Sequence, residues 1–426
     1  MKVTIPIHCK DTKNAEETQR VDPKLCEAFA SFCAFAVKEI SGNVVSARFL
    51  KRFLALLVIA GFGVLVMLNK SAAFQSPTEK WRLGKSVNKS RFVGSAVCAQ
   101  CHEEIAAKQS KTAMALALTS TADDELLKQR APLTFKLGEF TYRIERTGTQ
   151  FSYNITNSKD RFSTPLLWSF GHGTSGKTFV IQHNGTFYET RVSYFTSLAR
   201  LDLTPGAPRE LPASLESAIG QPQRANEALG CFTCHSTPLP ATTEIKLDQF
   251  TQGLQCEVCH GPGENHLAAL KSGKKELAKQ EIFNPRSWPA DDVNQLMCGA
   301  CHRSWEAVMQ LPERGGDANV RFQPYRLANS KCYQNPDDRR IGCTACHDPH
   351  GDVAHEARAY DAKCLACHQG GTTSVKADVQ RTAPACRTGK QNCVSCHMPK
   401  YEPSHLHFKF TDHWIRVVKP GDPHPR

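Results

Sequence analysis

The chain has 426 residues, of which 40% are hydrophobic and 22% are charged, and its formal net charge is +12. This composition is typical of a globular protein long enough for two or three domains, and it excludes a disordered chain, a collagen and a transporter with several membrane spans. The basic residues are scattered rather than interleaved with aromatic residues, so we expect no nucleic-acid partner. The unusual number is 19 cysteines, because disulfide scaffolds reach that density only in short secreted chains.

The N-terminal part of the chain contains a targeting or anchoring signal. Residues 53–68 form an uncharged apolar run of sixteen residues that follows a basic flank. As a helix this run is about 24 Å long, against about 30 Å for a hydrocarbon core. We therefore interpret residues 51–70 as a transmembrane anchor or a cleaved signal segment. Residues 1–50 are either a cytoplasmic extension or the product of a start assigned too early.

The chain beyond residue 90 divides by its patterning into three parts. Residues 90–131 form a first segment with a predicted helix over 102–119. Residues 132–225 form a predicted β-rich insertion and connecting loop, in which aromatic and β-branched residues alternate with polar ones and Asn184-Gly185 marks a hairpin tip. Residues 226–418 form a third part with predicted helices over 264–281 and 292–310.

Fourteen of the cysteines fall into seven C-x-x-C-H motifs, one in residues 90–131 and six in residues 226–418. Their cysteines are Cys98, Cys101, Cys231, Cys234, Cys256, Cys259, Cys298, Cys301, Cys343, Cys346, Cys364, Cys367, Cys393 and Cys396. The histidines that follow them are His102, His235, His260, His302, His347, His368 and His397.

This motif is the attachment signature of c-type haem, in which two thiols form thioethers with one porphyrin and the next histidine binds its iron. Zinc is the alternative, because C-x-x-C pairs also occur in zinc sites. A zinc site has no use for a histidine after every second cysteine, so the sequence predicts seven covalently bound haem c groups. Because such haem is attached outside the bacterial cytoplasm, the motifs also predict the orientation of the apolar segment.

Seven haems in about 350 residues leave little chain for an ordinary core. We therefore predict a mainly α fold with much irregular structure, in which a multihaem cytochrome domain wraps a haem cluster. A small antiparallel β insertion and an N-terminal membrane helix complete the predicted fold.

Each haem iron can also bind a sixth ligand, opposite the motif histidine. His266 and His350 follow haem motifs closely and are the best-placed candidates. His355, His405, His407, His413 and Met114 remain open as further candidates. The remaining exported cysteines, Cys332 and Cys386, are interpreted either as a disulfide or as two buried thiols.

Several segments resemble a known family. Cys256-Glu-Val-Cys259-His260-Gly-Pro-Gly-Glu-Asn-His266, Cys343-Thr-Ala-Cys346-His347-Asp-Pro-His350 and Phe410-Thr-Asp-His413-Trp-Ile-Arg416 resemble the multihaem cytochromes with a cytochrome c-554-type domain, distant relatives of octahaem hydroxylamine oxidoreductases. The resemblance covers residues 92–418 and implies His266, His350 and His413 as distal ligands. No C-x-x-C-K motif is present, so the lysine-ligated haem of ammonia-forming nitrite reductases is not implied.

The sequence thus predicts a heptahaem electron carrier that is anchored in the inner membrane by one helix and faces the periplasm. Its expected partners are redox proteins or quinone-linked membrane donors. The alternative is an oxidoreductase that acts on a small nitrogen or sulfur compound at one open haem. No catalytic residue is predicted, and an electron carrier is favoured over an enzyme.

Overall fold

The computed structural model describes residues 91–237, 251–335, 340–368, 386, 389–419 and 421–424. The chain separates into two compact units, 1–75 and 76–426, and every described residue belongs to the second. About 38% of the described residues are helical and about 22% lie in strands.

A four-stranded antiparallel sheet follows the chain order β2 (Leu133–Leu137), β3 (Phe140–Thr147), β4 (Gln150–Thr156) and β5 (Arg161–Leu166). Its strands alternate aromatic or β-branched residues with polar ones, so one face is apolar. That face is fully buried, as its largest residues show: Tyr142, Ile144, Tyr153 and Ile155.

A seven-stranded sheet lies beside it. It contains β1 (Leu118–Ser120), β6 (Trp168–Phe170), β7 (Gly176–His183), β8 (Thr186–Thr190), β9 (Val192–Phe195), β10 (Arg200–Leu203) and β11 (Gly220–Gln223). The hydrogen-bonded order is β1-β6-β7-β8-β11, and β9 pairs with both β7 and β10. The β7–β8 hairpin turns at Asn184 and Gly185, whose φ values of 49° and 77° are those of a tight hairpin turn.

The two sheets share one hydrophobic core. Phe140 and Phe151 from the first sheet pack with Phe179, Ile181 and Tyr194 from the second. Residues 203–223 form a Pro-rich connecting segment. Buried Arg191 holds this segment against the core by donating to the carbonyls of Pro208, Glu210 and Ser217. The segment contains a helix and strand β11 rather than loop alone, because these bonds satisfy its backbone.

The helices are short, and the described part of the chain contains no helix longer than 11 residues. They are α1 (Ser95–Ala99), α2 (Glu103–Gln109), α3 (Glu125–Arg130), α4 (Leu215–Ile219), α5 (Ala225–His235), α6 (Cys256–His260), α7 (Glu264–Lys271), α8 (Lys275–Gln280), α9 (Ala290–Asp292), α10 (Gly299–His302), α11 (Trp305–Met309), α12 (Gln323–Ala328), α13 (Cys343–Cys346), α14 (Asp361–His368) and α15 (Cys393–His397). A π-helical turn, Val293–Cys298, joins α9 to α10.

Short 3-10 segments and two small ladders complete the described fold. The 3-10 segments are Thr121–Asp123, Pro285–Ser287, Pro312–Arg321 and Ala357–Tyr360. The ladders pair β12 (Ser236–Thr237) with β13 (Thr251–Gln252) and β14 (Lys400–Tyr401) with β15 (Phe410–Thr411).

The prediction of a mainly α fold with a small β insertion is wrong. The described residues form a mixed α and β fold with two extended antiparallel sheets. The prediction underestimated the strands because β5, β6, β9 and β10 are short and separated by polar turns, so their alternation is weak in the sequence. Pairing with β4 stabilises β5, pairing with β7 stabilises β6 and β9, and β10 pairs with β9.

The predicted N-terminal membrane helix is not part of the fold as described. Residues 53–68 lie outside the described residues. Among the residues that the structure does describe, none of the helices has both the length and the apolar character needed to cross a bilayer.

The predicted helices are interrupted where the backbone takes left-handed conformations. The helix expected over 264–281 divides into α7 and α8 at Gly273, whose φ is 73°. The helix expected over 292–310 divides at Arg303, whose φ is 67°, and Ser304 then caps α11. The helix expected over 102–119 is limited to α2, because the chain then turns into β1.

Candidate haem sites

Each C-x-x-C-H motif lies in or at the end of a short helix. In α6, α14 and α15 the motif occupies the final helical turn. Residues three and four positions apart share one face of a helix. Both cysteines and the histidine of each motif are therefore directed to the same side, which is the arrangement needed to bind one porphyrin by two thioethers and one imidazole.

Six of the motifs come together in three pairs: the first with the third, the fourth with the fifth, and the sixth with the seventh. Cys98 of the first motif hydrogen-bonds Cys256 of the third, a contact that raises the pKa of Cys98 and lowers that of Cys256. Cys298 of the fourth motif makes the same contact with Cys343 of the fifth, raising the pKa of Cys298 and lowering that of Cys343.

The third pair joins the sixth and seventh motifs. Here Cys364 and Cys393 are in hydrogen-bond contact. Burial raises the pKa of Cys364 although this contact lowers it, whereas burial, the hydrogen bond with Asp361 and the charge of Cys364 together raise the pKa of Cys393 to about 11. In all three pairs the contact is between the first cysteine of each motif. The attachment points of two porphyrins therefore lie side by side in each pair.

A polar side chain upstream of one motif fixes the partner motif in each pair. Ser95 Oγ accepts the amide of Cys256 at 3.4 Å, and Asn294 Oδ1 accepts the amide of Cys343 at 2.7 Å. Asp361 accepts the amides of Asn392 and Cys393 at 2.8 and 2.9 Å. The accepting residue stands three or four positions before the first cysteine of its own motif. It thus supplies the cap that the first turn of the partner helix lacks.

The first pair has an additional clamp inside the third motif itself. Glu257 is 2% exposed, and its carboxylate accepts the amides of Val93 at 2.9 Å, Gly94 at 2.8 Å and Gly263 at 2.8 Å. These bonds join the chain before the first motif to the turn after the third. A buried carboxylate is stable only when its oxygens are satisfied in this way.

The second motif is held by the β sheets instead. In α5, buried Phe232 packs on Phe170 and Phe187 of the seven-stranded sheet. The His235 ring contacts Phe170 with a centroid separation of 5.3 Å. Cys234 Sγ lies 3.8 Å from the carbonyl oxygen of Ala300, which places the second motif next to the fourth.

Several histidines are tethered through Nδ1 to a backbone carbonyl. Among the motif histidines these are His235 to Ala117, His260 to Phe283 and His397 to Arg416, at 2.9, 2.9 and 3.0 Å. A carbonyl oxygen can only accept, so Nδ1 carries the proton. The Nε2 lone pair is then left for a metal, and the bond fixes the ring orientation, as is usual for histidine ligands.

Two of the predicted distal histidines have the same tether. His266 Nδ1 donates to Ala278 O at 2.8 Å, and His413 Nδ1 donates to Thr411 O at 3.0 Å. The tautomer of both rings therefore suits iron binding through Nε2.

Two histidine pairs have the spacing of imidazoles on opposite sides of one iron. The His260 and His350 ring centroids are 5.9 Å apart with an interplanar angle of 7°, and those of His347 and His413 are 6.2 Å apart. A metal–nitrogen bond of about 2.0 Å, together with the distance of about 1 Å from nitrogen to ring centre, predicts a separation of about 6 Å. Both pairs fit a haem iron between their rings.

Burial keeps the histidines in the form that binds metal. It lowers the pKa of His235, His302 and His347, and it lowers the pKa of His413 to about 4. These imidazoles are therefore neutral at physiological pH, as a ligand must be.

An orphaned donor near the fourth motif also fits a bound haem. Arg321 Nε is buried without a hydrogen-bond partner. Arg303 lies close enough to lower the pKa of Arg321, though burial is the larger cause. A haem carries two propionates, and a guanidinium is the side chain that pairs best with a carboxylate.

The other candidate ligands lie elsewhere. His355 and His405 are exposed. His407 packs on Phe195 with a centroid separation of 4.8 Å and lies 3.3 Å from Asp202, against the β sheets. Met114 is half-buried, and its carbonyl accepts the amide of Leu254 just before the third motif.

Two further observations concern metals and cysteines. Cys332 lies close enough to Cys346 and Cys364 to raise the pKa of both thiols, although burial is the main cause for each. Cys386 is exposed and Cys332 is half-buried, so the interpretation as two buried thiols is wrong. Across the described ranges, no group of three or more His, Cys, Asp or Glu side chains forms a metal-binding cluster.

Sequence reasoning missed the polar clamps. Ser95, Asn294 and Asp361 share a position three or four residues before a motif cysteine, and this regularity is visible in the sequence. Glu257 had no such signal, because a charged residue between two motif cysteines is unremarkable until its burial is known.

Comparisons with known proteins agree with these features. The family model described as cytochrome c554 and c-prime matches residues 207–261, which contain the second and third motifs. The multiheme cytochrome MtrA of Shewanella baltica (strain OS185) is 26% identical over 209 residues, covering 45% of this chain and 52% of that protein. The chain thus spans about half the length of this curated relative.

A solved structure also aligns with the chain. The crystal structure of the outer cell wall cytochrome OcwA gives a TM-score of 0.41 at 14% identity, over 77% of this chain and 80% of that one. The sequence matches relate this chain to multihaem c-type cytochromes with covalently bound haem. The relation to hydroxylamine oxidoreductases stays a prediction.

Proposed function

We propose that this chain is a heptahaem c-type cytochrome that transfers electrons between redox partners outside the cytoplasm. A bound haem supplies one-electron exchange between ferrous and ferric iron. The observation that carries the proposal is the set of seven C-x-x-C-H motifs, six of which are joined in three contacting pairs.

The side chains of this protein would then perform three tasks. The motif cysteines would hold the porphyrins, and each motif histidine would bind one iron. His350 and His413, whose rings face those of His260 and His347, would bind the irons of the third and fifth motifs as well, and His266, with Nδ1 tethered, would have Nε2 left for the same role. Ligands on both faces keep the geometry of an iron similar in both oxidation states, which favours a carrier.

An electrochemical experiment tests this function. Coulometric titration of the purified full chain, monitored by its visible spectrum, should show seven electrons taken up per chain, one for each motif, with low-spin spectra in both states. A strong high-spin signal that changes on addition of nitrite or hydroxylamine would favour the oxidoreductase alternative. A protein with zinc and no redox-active absorbance would contradict the proposal.

The location of the haem-bearing part is tested separately. Because c-type haem is attached outside the bacterial cytoplasm, a reporter active only in the periplasm and fused after the last motif should be active. A fusion that is active only with a cytoplasmic reporter would contradict this part of the proposal. The expected electron donors and acceptors are other redox proteins or quinone-linked donors.

A further inference from the structure

A buried ion pair lies outside all seven motifs. Arg326 of α12 is 1% exposed and Asp412 is 0% exposed, and the guanidinium donates from Nε and Nη2 to the two carboxylate oxygens at 2.8 Å each. Removing two charges from water costs several kcal/mol per ion, so such a pair is weak grounds for stability alone. Its contacts indicate another role.

The carboxylate of Asp412 organises the residues that follow it. Its Oδ1 accepts the amide of Trp414 at 3.0 Å, and its Oδ2 accepts Arg416 Nη1 at 2.6 Å. The guanidinium carbons of Arg326 and Arg416 lie 5.2 and 5.0 Å from the centre of the Trp414 ring. The segment from Asp412 to Arg416 is therefore fixed in one conformation.

Ser330, just after α12, fixes the backbone of the same segment. Its hydroxyl is fully buried, donates to the carbonyl of His413 at 3.3 Å and accepts the amide of Ile415 at 2.8 Å. Arg326 thus binds the carboxylate of Asp412, just before His413, and Ser330 binds the backbone of His413 and Ile415.

The segment contacts two haem motifs. His413 lies opposite His347 of the fifth motif, with a centroid separation of 6.2 Å. The carbonyl of Arg416 accepts His397 Nδ1 of the seventh motif at 3.0 Å, and the Arg416 amide donates back to His397 O at 3.2 Å. The carboxylate of Asp412 therefore fixes the segment that contacts two candidate iron ligands, His347 and His397.

We propose that the Arg326–Asp412 ion pair is a positioning device that sets His413 opposite His347 and the Arg416 carbonyl against His397. This inference rests on the proposed function, because it assumes that these histidines bind haem iron. Arg326 and Asp412 are positioning residues and touch no iron themselves.

The test compares two buried ion pairs in the full-length, haem-loaded protein. Arg326→Met removes the proposed device. Lys177→Met removes the pair between Lys177 and Asp124, which is buried to a similar degree, 7% and 0% exposed, with a distance of 2.7 Å, but lies in the β sheets. Electron paramagnetic resonance of the oxidised protein reports the spin state, and a pyridine haemochrome assay reports the haem content.

We expect Arg326→Met to convert one haem equivalent of the seven from low-spin to high-spin, and Lys177→Met to convert none. Arg326→Lys, which keeps the charge but not the paired hydrogen bonds, should restore part of the low-spin signal. If Arg326→Met does not fold, Asp412→Asn decides, because it has the same shape, removes one charge of the pair and should shift the midpoint potential of one haem.

The experiment distinguishes a failure of the proposed function from a failure of the positioning role. A wild-type protein without covalent haem would overturn the proposed function. A protein with seven haems in which Arg326→Met, or Asp412→Asn where the first variant does not fold, keeps the wild-type spectrum and potentials would overturn the positioning role alone. The same would follow if Lys177→Met changed the spin state as much as Arg326→Met.

Discussion

At the scale of single residues, a few buried polar side chains fix the positions of the haem motifs. Glu257 is the clearest of them, since three backbone amides depend on its carboxylate. Asp361 performs a similar task for the seventh motif. Both side chains lie close to motif cysteines, but they bind backbone amides rather than a porphyrin.

Replacing Glu257 should destabilise the first motif pair. Glu257→Gln offers one acceptor oxygen and an amide donor where three amides need acceptors, so at least one amide is left unsatisfied at a cost of about 1–3 kcal/mol. Denaturant unfolding of the haem-loaded protein measures the loss. Glu264→Gln is the matched control, because Glu264 is half-exposed in a long ion pair with Arg91 and should change stability by less than about 0.5 kcal/mol.

The lowered pKa of Asp361 leads us to expect that stability depends on pH. The amides of Cys393 and Asn392 hold the pKa of its carboxyl below the usual value. A lowered folded-state pKa gives stability that is present above the unfolded-state pKa and is lost as the pH falls through the folded-state pKa. The difference in unfolding free energy between wild type and Asp361→Ala should therefore shrink on acidification.

The conservative variant Asp361→Asn separates charge from hydrogen bonding. Asparagine keeps one acceptor oxygen for the two amides, so this variant should lose less stability than Asp361→Ala at neutral pH and show a weaker pH dependence at this site. Equal losses for Asp361→Asn and Asp361→Ala at every pH would show that the side chain does not cap α15.

At the scale of elements, the β sheets support the second motif. Phe232 of α5 is fully buried against the seven-stranded sheet, and Ala117, just before β1, accepts from His235. The β region is therefore not an isolated insertion, because it contributes directly to the surroundings of a candidate iron ligand.

Truncating Phe232 should therefore loosen the second motif. Phe232→Ala should cost about 3–5 kcal/mol of stability, as is typical for a large buried aromatic residue, and should change the spectrum of one haem. Calorimetry and resonance Raman spectra check the two effects. Leu211→Ala is the control, because Leu211 is 65% exposed and should change neither property.

Some of the strands and helices could be predicted from the sequence, and others could not. The alternation around Tyr142 and Tyr153 and the Asn184-Gly185 turn predicted the β3–β4 and β7–β8 hairpins, because these signals are local. The extent of the sheets was missed, since β1 and β11 pair with β6 and β8, which are distant from them in the chain. The interruption at Gly273 was missed as well, because glycine is also tolerated inside helices.

At the scale of the whole molecule, the seven motifs could be found from the sequence, and their pairing could not. The contact between Cys98 and Cys256 joins motifs separated by the β region and by the second motif. Only the folded chain brings such distant segments together. Likewise, His350 and His413 were candidates from the sequence, but their placement opposite His260 and His347 required the structure.

We propose above all that this chain carries seven covalently attached haems. Mass spectrometry of the purified protein under denaturing conditions tests it most directly, because thioether-linked haem survives unfolding and a bound zinc ion does not. We predict a single species with the mass of the polypeptide plus seven haems, and six haems when both Cys364 and Cys367 are replaced by serine. A polypeptide mass without haem, with its motif thiols open to alkylation, would contradict the account.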